Sequence, residues 1–113
     1  MIKVNVNRLK ESKEIVAIEM TGHADYAESG KDLVCAGAST VIFGMINAIS
    51  LHIDQPPHIE EEDDGGYLYY SLPVDLSDED HRDVQLLAEA LLTQFTTLEE
   101  SYTEFIQIKN SWR

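Results

Sequence analysis

A long apolar stretch, residues 33–50, constrains the fold of this chain more than any other feature. Asp32 precedes it and predicts a helix N-cap, while the stretch itself is apolar almost all round. A chain of 113 residues favours one domain, residues 1–113, with one modest core. A sheet and one further helix would leave part of such a helix uncovered, so we expect a partner subunit. Its large apolar residues are Leu33, Val34, Val41, Ile42, Phe43, Met45, Ile46 and Ile49.

Five shorter segments have the pattern of β-strands. Residues 2–7 and 15–20 alternate apolar and polar side chains, which is typical of half-buried strands. Residues 58–62 and 67–74 flank the turn sequence Asp-Asp-Gly-Gly and predict a hairpin. Residues 102–109 return to alternation and predict a last strand.

A second helix is predicted between the hairpin and the last strand. Ser77 and Asp80 resemble a capping box, and a 3.6-residue apolar stripe follows from Val84 to Leu98. The order of elements is therefore ββαββαβ. This order predicts the α+β class, a single layer-type domain with two helices packed on a mainly antiparallel five-stranded sheet.

The charge of the chain restricts its partners. Lys and Arg number 8 and Asp and Glu number 21, which gives a formal net charge of −13. Such a surface repels phosphate backbones and anionic membranes and favours a basic protein. No secretory signal is evident, and no uninterrupted apolar run approaches the ~20 residues of a membrane span. We therefore expect a soluble cytoplasmic protein that binds neither nucleic acid nor membranes.

The only cysteine, Cys35, lies at the start of the first helix, and His23 follows the second strand. A cysteine and a histidine are the minimum set for thiol nucleophilic catalysis, although a lone cysteine is often only a small buried apolar residue. The helix N-terminus favours a thiolate, and its free N–H groups are suited to stabilise an oxyanion. Asp32 opposes thiolate formation through its like charge. The small residues 36–38 would let a substrate backbone approach.

The remaining histidines carry weaker signals. His52, His58 and His81 are most simply ordinary polar or partly buried residues, and no pair has the spacing of metal ligands. His23, Asp25 and Asp32 offer too few convergent oxygens for a hard cation. The sequence therefore predicts neither a metal site nor a cofactor.

The residues around both candidate catalytic groups resemble a known signature. Gly22-His23-Ala24, then Gly-Lys-Asp-Leu-Val-Cys-Ala at residues 30–36, then Ser39, are similar to the motif of the ribosomal-processing cysteine protease family, Prp. The chain length and the order of elements also fit this family. The resemblance covers the whole chain, and only the Gly37-Ala38 pair departs from the bulkier residues typical of the motif.

The resemblance implies a bacterial cytoplasmic endopeptidase that removes a short N-terminal extension from a large-subunit ribosomal protein. It implies cleavage after a Leu-Gln-Phe-Phe-like sequence, a homodimer, Cys35 as nucleophile and His23 as general base and acid. Gly22, Asp32 and Ser39 match supporting positions of the motif. The segment between the two catalytic positions would be a mobile loop that orders over the peptide. The loop residues are Ala24, Asp25, Tyr26, Ala27, Glu28, Ser29, Gly30 and Lys31.

A different class of function remains open from the residues alone. The chain would then be a non-catalytic acidic dimer that binds a basic ribosomal protein or an assembly factor. A redox-sensing thiol is a third reading, although the chain has no second cysteine to resolve it. Thiol reactivity separates the first two readings, because a catalytic cysteine reacts faster at neutral pH than an ordinary thiol with a pKa near ~8.5.

Overall fold

The computed structural model describes residues 1–28, 31–63 and 65–113. The predicted order of two strands, a helix, two strands, a helix and a strand is confirmed. Most predicted bounds agree with the structure within a few residues. The elements are β1 Ile2–Arg8, β2 Ile15–Thr21, α1 Leu33–Ile53, β3 His58–Glu61, β4 Tyr67–Ser71, α2 Asp78–Ser101 and β5 Ile106–Trp112.

The five strands form one mixed sheet in the order β3-β4-β2-β1-β5. The pairs β1–β2, β2–β4 and β3–β4 are antiparallel, whereas β5 runs parallel to β1. The predicted α+β class with a mainly antiparallel sheet is therefore confirmed. The parallel pair follows from α2, because it returns the chain to the end of the sheet where β1 begins.

The last strand begins later than the alternation predicts. Tyr102 ends α2 instead, and its N–H donates to the Leu98 carbonyl at 3.0 Å. The N–H of Phe105 then donates to the Tyr102 carbonyl at 2.9 Å, which closes a turn before β5. The residues of this turn, Tyr-Thr-Glu-Phe at 102–105, continue the alternation only in part, so the pattern alone does not separate the turn from the strand.

The core lies between one face of the sheet and the two helices. Ile2, Val4 and Val6 of β1 point into it, which is the period-two alternation read from the sequence. α1 contributes five buried residues along one stripe: Val34, Ala38, Ile42, Ile46 and Ile49. α2 contributes Val84, Ala88, Leu91 and Phe95, as its predicted stripe requires. This packing holds both helices on one face of the sheet.

The outer surface of α1 remains apolar and uncovered within this chain. Leu33, Phe43 and Leu51 are 62%, 36% and 83% exposed, so only one side of the helix is buried, not most of its circumference. By length and composition, α1 is also apolar enough to cross a membrane, although polar residues interrupt it. Core helices of globular domains have the same composition, and the buried stripe of α1 packs in the core described above.

Candidate active site

Cys35 occupies the first turn of α1 and is half-buried. Its Sγ accepts a hydrogen bond from the backbone N–H of Ala24 at 3.5 Å. Ala24 directly follows His23 and is itself buried. The segment that leaves β2 therefore passes across the start of α1, and this path brings the sole thiol and the histidine to the same place.

Asp32 joins this segment to the helix. Its Oδ1 accepts the backbone N–H groups of Val34 and Cys35, both at 3.0 Å, which confirms the predicted N-cap. Its Oδ2 accepts the N–H groups of Tyr26 at 2.9 Å and Ala27 at 3.4 Å. One carboxylate thus satisfies four backbone donors, two from the helix and two from the loop. Sequence reasoning predicted the bond from the Cys35 N–H and missed the other three donors.

The loop is also held by aromatic contacts. The ring of Tyr26 packs edge-on against Tyr102 and Phe105, with ring centroids 5.5 and 5.0 Å away. Tyr26 is nevertheless 41% exposed. At the loop's far end the Lys31 N–H donates to the Glu28 carbonyl at 2.9 Å. The predicted loop residues Ser29 and Gly30 lie outside the described part of the chain.

Gly22 is required by the backbone path. Its φ is +83°, and a Cβ at this position would collide with the carbonyl oxygen of Met1. The N–H of Gly22 donates to the Gly66 carbonyl at 2.9 Å, which extends the contact between β2 and β4. This tight turn directs His23 away from the sheet. The sequence indicated a supporting role for Gly22, and the physical reason is this close backbone approach.

A cavity of about 460 Å³ lies at the start of α1. It is lined by His23, Asp25, Ala27, Asp32, Cys35, Ala36 and Ser39. The two candidate catalytic residues and Ser39 therefore line one cavity. His23 is exposed and makes no hydrogen bond to Cys35 or to any other residue that the structure describes. Of the small residues 36–38, only Ala36 lines the cavity; Ala38 is in the core and Gly37 contacts Leu98.

The electrostatics of Cys35 differ from the prediction. Burial raises the pKa of the Cys35 thiol above its ordinary value, and the negative charges of Asp32 and Asp25 raise it further. The Ala24 N–H acts in the opposite direction and does not outweigh them. The opposing effect expected of Asp32 is thus present, and the effect expected of the helix N-terminus does not bring the pKa of Cys35 below its ordinary value in this conformation.

Asp32 itself remains ionised at neutral pH. Burial acts to raise the pKa of its carboxyl, but the N–H groups of Cys35, Tyr26 and Ala27 outweigh burial and lower it. The carboxylate also occupies the N–H groups of Val34 and Cys35. These two groups were the natural candidates for an oxyanion site at the helix start. The Ala24 N–H, which faces the sulfur, is a donor that no local sequence pattern predicts.

The fold also brings together three potential metal ligands that no sequence spacing revealed. His52 at the end of α1 pairs with Asp83 at 2.8 Å, and Asp80 lies one turn earlier on α2. Side-chain ligand atoms of the three lie within 4.8 Å of one another. The cluster is partly exposed and shares no residue with the Cys35 cavity.

Comparison with known proteins agrees with this geometry. Residues 1–107 match the family described as cysteine protease Prp. The ribosomal processing cysteine protease Prp of Bacillus subtilis is 38% identical over 108 residues, which cover 96% of each chain. A crystal structure of Prp from Staphylococcus aureus with a covalently linked product peptide has a TM-score of 0.85 and 35% identity. That match covers 98% of this chain and 100% of the other.

A second Staphylococcus aureus structure, of Prp with a substrate peptide, has a TM-score of 0.78 and 33% identity over 98% of this chain and 100% of its own. Fold, length and sequence thus match the same proteins along nearly the whole chain, including the segment that forms the Cys35 cavity. The chain belongs to the Prp family and is a cysteine protease whose relatives are named for ribosomal processing.

Proposed function

We propose that this protease removes a short N-terminal extension from a large-subunit ribosomal protein. The cut follows a Leu-Gln-Phe-Phe-like sequence and precedes a small residue, with residues 1–113 acting as one cysteine-protease domain. The observation that carries the proposal is that Cys35 and His23 line one cavity at the start of α1. The net charge of −13 supports a basic protein as substrate rather than nucleic acid or a membrane.

The acylation step follows from the raised pKa of the thiol. His23 takes the proton from Cys35 as the peptide binds, and Sγ attacks the carbonyl carbon of the scissile bond. The N–H of Ala24 stabilises negative charge near the sulfur. His23 then donates its proton to the leaving amine. The C–N bond breaks, and a thioester joins the N-terminal fragment to Cys35.

The deacylation step uses the same two residues. His23 takes a proton from a water molecule, and the resulting hydroxide attacks the thioester carbonyl. The C–S bond breaks, the proton returns to sulfur and the carboxylate product leaves. The His23 side chain forms no hydrogen bond within the described part of the chain. Its ring is therefore free to turn toward either the thiol or the water.

The supporting residues hold the loop, His23 and the peptide site in place. Asp32 ties residues 26 and 27 to the helix, and Gly22 sets the direction from which His23 enters the cavity. Ser39 lies one turn after Cys35 and lines the same cavity, where its exposed hydroxyl shapes the peptide site. Residues 24–28 of the loop close over the bound peptide and reduce the access of water to it.

An intact-mass assay tests the proposal. The purified protein and its Cys35→Ala form are incubated separately with a ribosomal protein that carries the Leu-Gln-Phe-Phe extension. The expected result is a single truncation after the second Phe, which is absent with the variant. Cleavage by folded Cys35→Ala protein would exclude Cys35 as nucleophile. A substrate left intact by the unmodified enzyme would exclude this cleavage sequence.

The active form is a homodimer in the bacterial cytoplasm. The exposed apolar residues on α1 support this part of the proposal, since Leu51 is 83% exposed and Gly44 has no neighbour within 4 Å of a Cβ built on it. Sedimentation equilibrium is expected to give twice the 12.7 kDa mass of the chain. The variant Leu51→Glu is expected to shift the mass toward the monomer, and an unchanged mass would remove α1 from the interface.

A further inference from the structure

The face of the sheet opposite the helices has an ordered arrangement of tyrosine and glutamate. In the strand register, Tyr69 of β4 lies directly between Glu19 of β2 and Glu60 of β3. Tyr67 occupies the same face two residues before Tyr69. Directly opposed residues on neighbouring antiparallel strands have Cβ atoms about 5 Å apart. An aromatic ring is therefore flanked on both sides by a carboxylate.

The carboxylates of this face have no cationic partner. Within the described part of the chain, Glu19, Glu60 and Glu62 form no salt bridge and no side-chain hydrogen bond. Their negative charges act on the tyrosine hydroxyl that lies among them. Desolvation raises the pKa of the Tyr67 hydroxyl, and the charges of Glu19, Glu60 and Glu62 raise it further. The part of this face on β2, β3 and β4 is therefore negative, whereas the strand register places Lys3 of β1 and Lys109 of β5 on the same face further along the sheet.

The chain itself indicates which cation this face accepts. The Arg113 side chain reaches over the sheet, and its Nη2 donates a hydrogen bond to the Tyr69 hydroxyl at 2.8 Å. A guanidinium is planar, stacks on aromatic rings and forms bidentate bonds to carboxylates, which an ammonium does not. The tyrosine and its two flanking carboxylates match these properties. Arg113 is exposed, so an incoming arginine can displace it.

The same face ends near the active site. Tyr67 pairs with Thr21, and the next residues along β2 are Gly22 and His23. A protein substrate whose cleaved segment lies in the Cys35 cavity would therefore have other parts of its chain close to this sheet face. A basic substrate would meet negative charge there.

We propose that Glu19, Glu60, Tyr67 and Tyr69 form a docking face for an arginine-bearing segment of the protein substrate, separate from the peptide held in the Cys35 cavity. The inference rests on the proposed function only in naming the occupant as part of the substrate. The docking face increases affinity for the whole protein without touching the reacting atoms, and it leaves cleavage of a short peptide unchanged.

A direct binding experiment uses a synthetic hexaarginine peptide as the probe. Backbone amide shifts measured by NMR during the titration are expected to move most for residues of β2 and β4. The double variant Glu19→Gln/Glu60→Gln is expected to bind about fivefold more weakly, since exposed ion pairs contribute modest energies. A matched control, Glu11→Gln/Glu100→Gln, removes the same charge at two exposed positions away from this face and is expected to bind the probe as the unmodified protein does.

The identity of the cation is tested with hexalysine, which has the same charge. Its affinity is expected to be lower than that of hexaarginine, because an ammonium lacks the planar fork that fits Tyr69 and its neighbours. The variant Arg113→Ala is expected to bind hexaarginine more tightly, because the chain's own guanidinium no longer competes. Equal affinity for the two peptides would overturn the assignment to arginine. Equal binding by the double variant and its control would overturn the docking face.

Kinetics connect the docking face to catalysis. For the full-length protein substrate, the double variant is expected to raise KM about fivefold with kcat unchanged. For a short peptide that spans only the cleavage sequence, neither constant is expected to change. An equal rise in KM for both substrates would assign these glutamates to the peptide site and overturn the proposal. If the unmodified enzyme cleaves neither substrate, the proposed function fails, and the hexaarginine titration still decides whether the docking face exists.

Discussion

The two helices of this protein begin with the same kind of cap and use it differently. Ser77 caps α2 through one bond, which its Oγ accepts from the Asp80 N–H at 3.1 Å, and three acidic residues fill the first turn. Asp32 caps α1 through two helix N–H groups, and the first turn of α1 contains no acidic residue. α2 places its own carboxylates in the positive field of its N-terminus. In α1, the first turn contains the thiol of Cys35 instead of a carboxylate.

The histidines near the two helix starts differ in the same way. His81 in the first turn of α2 is held by Glu14, with Nε2 2.9 Å from Oε1. His23 beside α1 has no hydrogen-bond partner among the described residues. A histidine held by a hydrogen bond contributes to the structure, whereas one without a partner at a cavity is available for proton transfer. We therefore expect substitutions at the start of α2 to affect stability and substitutions at the start of α1 to affect cleavage.

The largest effect is expected from removing the free histidine. His23→Ala should lower the cleavage rate at least about 10³-fold, because no other described group in the cavity replaces a general base. Its melting temperature should stay near that of the unmodified protein, since His23 is exposed. His81→Ala is the matched control and should retain full cleavage. If initial rates show comparable losses of cleavage in the two variants, then His23 and His81 do not differ in their roles.

The two caps give the second test. Asp32→Ala removes four hydrogen bonds and should lower the melting temperature by about 5 °C or more and cleavage about tenfold. Ser77→Ala removes one bond and should lower the melting temperature less, with cleavage intact. Calorimetry and initial rates on the same samples measure both. A larger loss of cleavage in Ser77→Ala than in Asp32→Ala would contradict the account.

The contribution of Asp32 should also depend on pH in one direction. Its pKa is lowered in the folded state from an ordinary value of 3.8, so its stabilising effect is complete above that value. The effect is lost as the pH falls through the lower folded pKa. The gap in melting temperature between the unmodified protein and Asp32→Ala should therefore be constant near neutrality and shrink in acid below about pH 3.8. A gap in melting temperature that widens in acid would contradict the predicted direction of the pH dependence.

A smaller effect is expected from the aromatic contacts of the loop. Tyr26→Ala removes the edge contacts with Tyr102 and Phe105, which favours loop opening and should raise KM for a peptide substrate about threefold. Tyr26→Phe keeps the ring and is the control, since the Tyr26 hydroxyl has no hydrogen bond among the described residues. If both variants behave alike, the ring contacts do not hold the loop in solution.

The smallest effect concerns the charge beside the thiol. Asp25→Asn removes one of the two negative charges that raise the pKa of Cys35, and asparagine tolerates the φ of +55° at this position. The pH midpoint of iodoacetamide alkylation should therefore fall. Glu28→Gln removes a charge from the same loop that does not act on Cys35 and should leave the midpoint unchanged. A midpoint that rises in Asp25→Asn would contradict the stated cause.

Periodicity and turn signals predicted each strand and helix that the structure describes. Cys35, His23 and Asp32 were singled out from the residues themselves and Ser39 from the family resemblance, and all four line one cavity. Contacts between distant segments could not be predicted from the sequence, because no local pattern encodes them. Tyr26 meets Tyr102 and Phe105 across the chain, and Asp32 accepts loop donors as well as helix donors. The raised thiol pKa depends on burial, which also requires the fold.

The proposed attack of Cys35 on the peptide in the cavity at the start of α1 is tested by a Leu-Gln-Phe-Phe chloromethyl ketone, because the peptide directs the reactive carbon to the nucleophile. The protein is treated at neutral pH, digested and mapped by mass spectrometry. We expect one adduct per chain, on Cys35, which forms much more slowly in His23→Ala. An adduct on another residue, or none on Cys35 in protein that cleaves its substrate, would exclude Cys35 as the nucleophile.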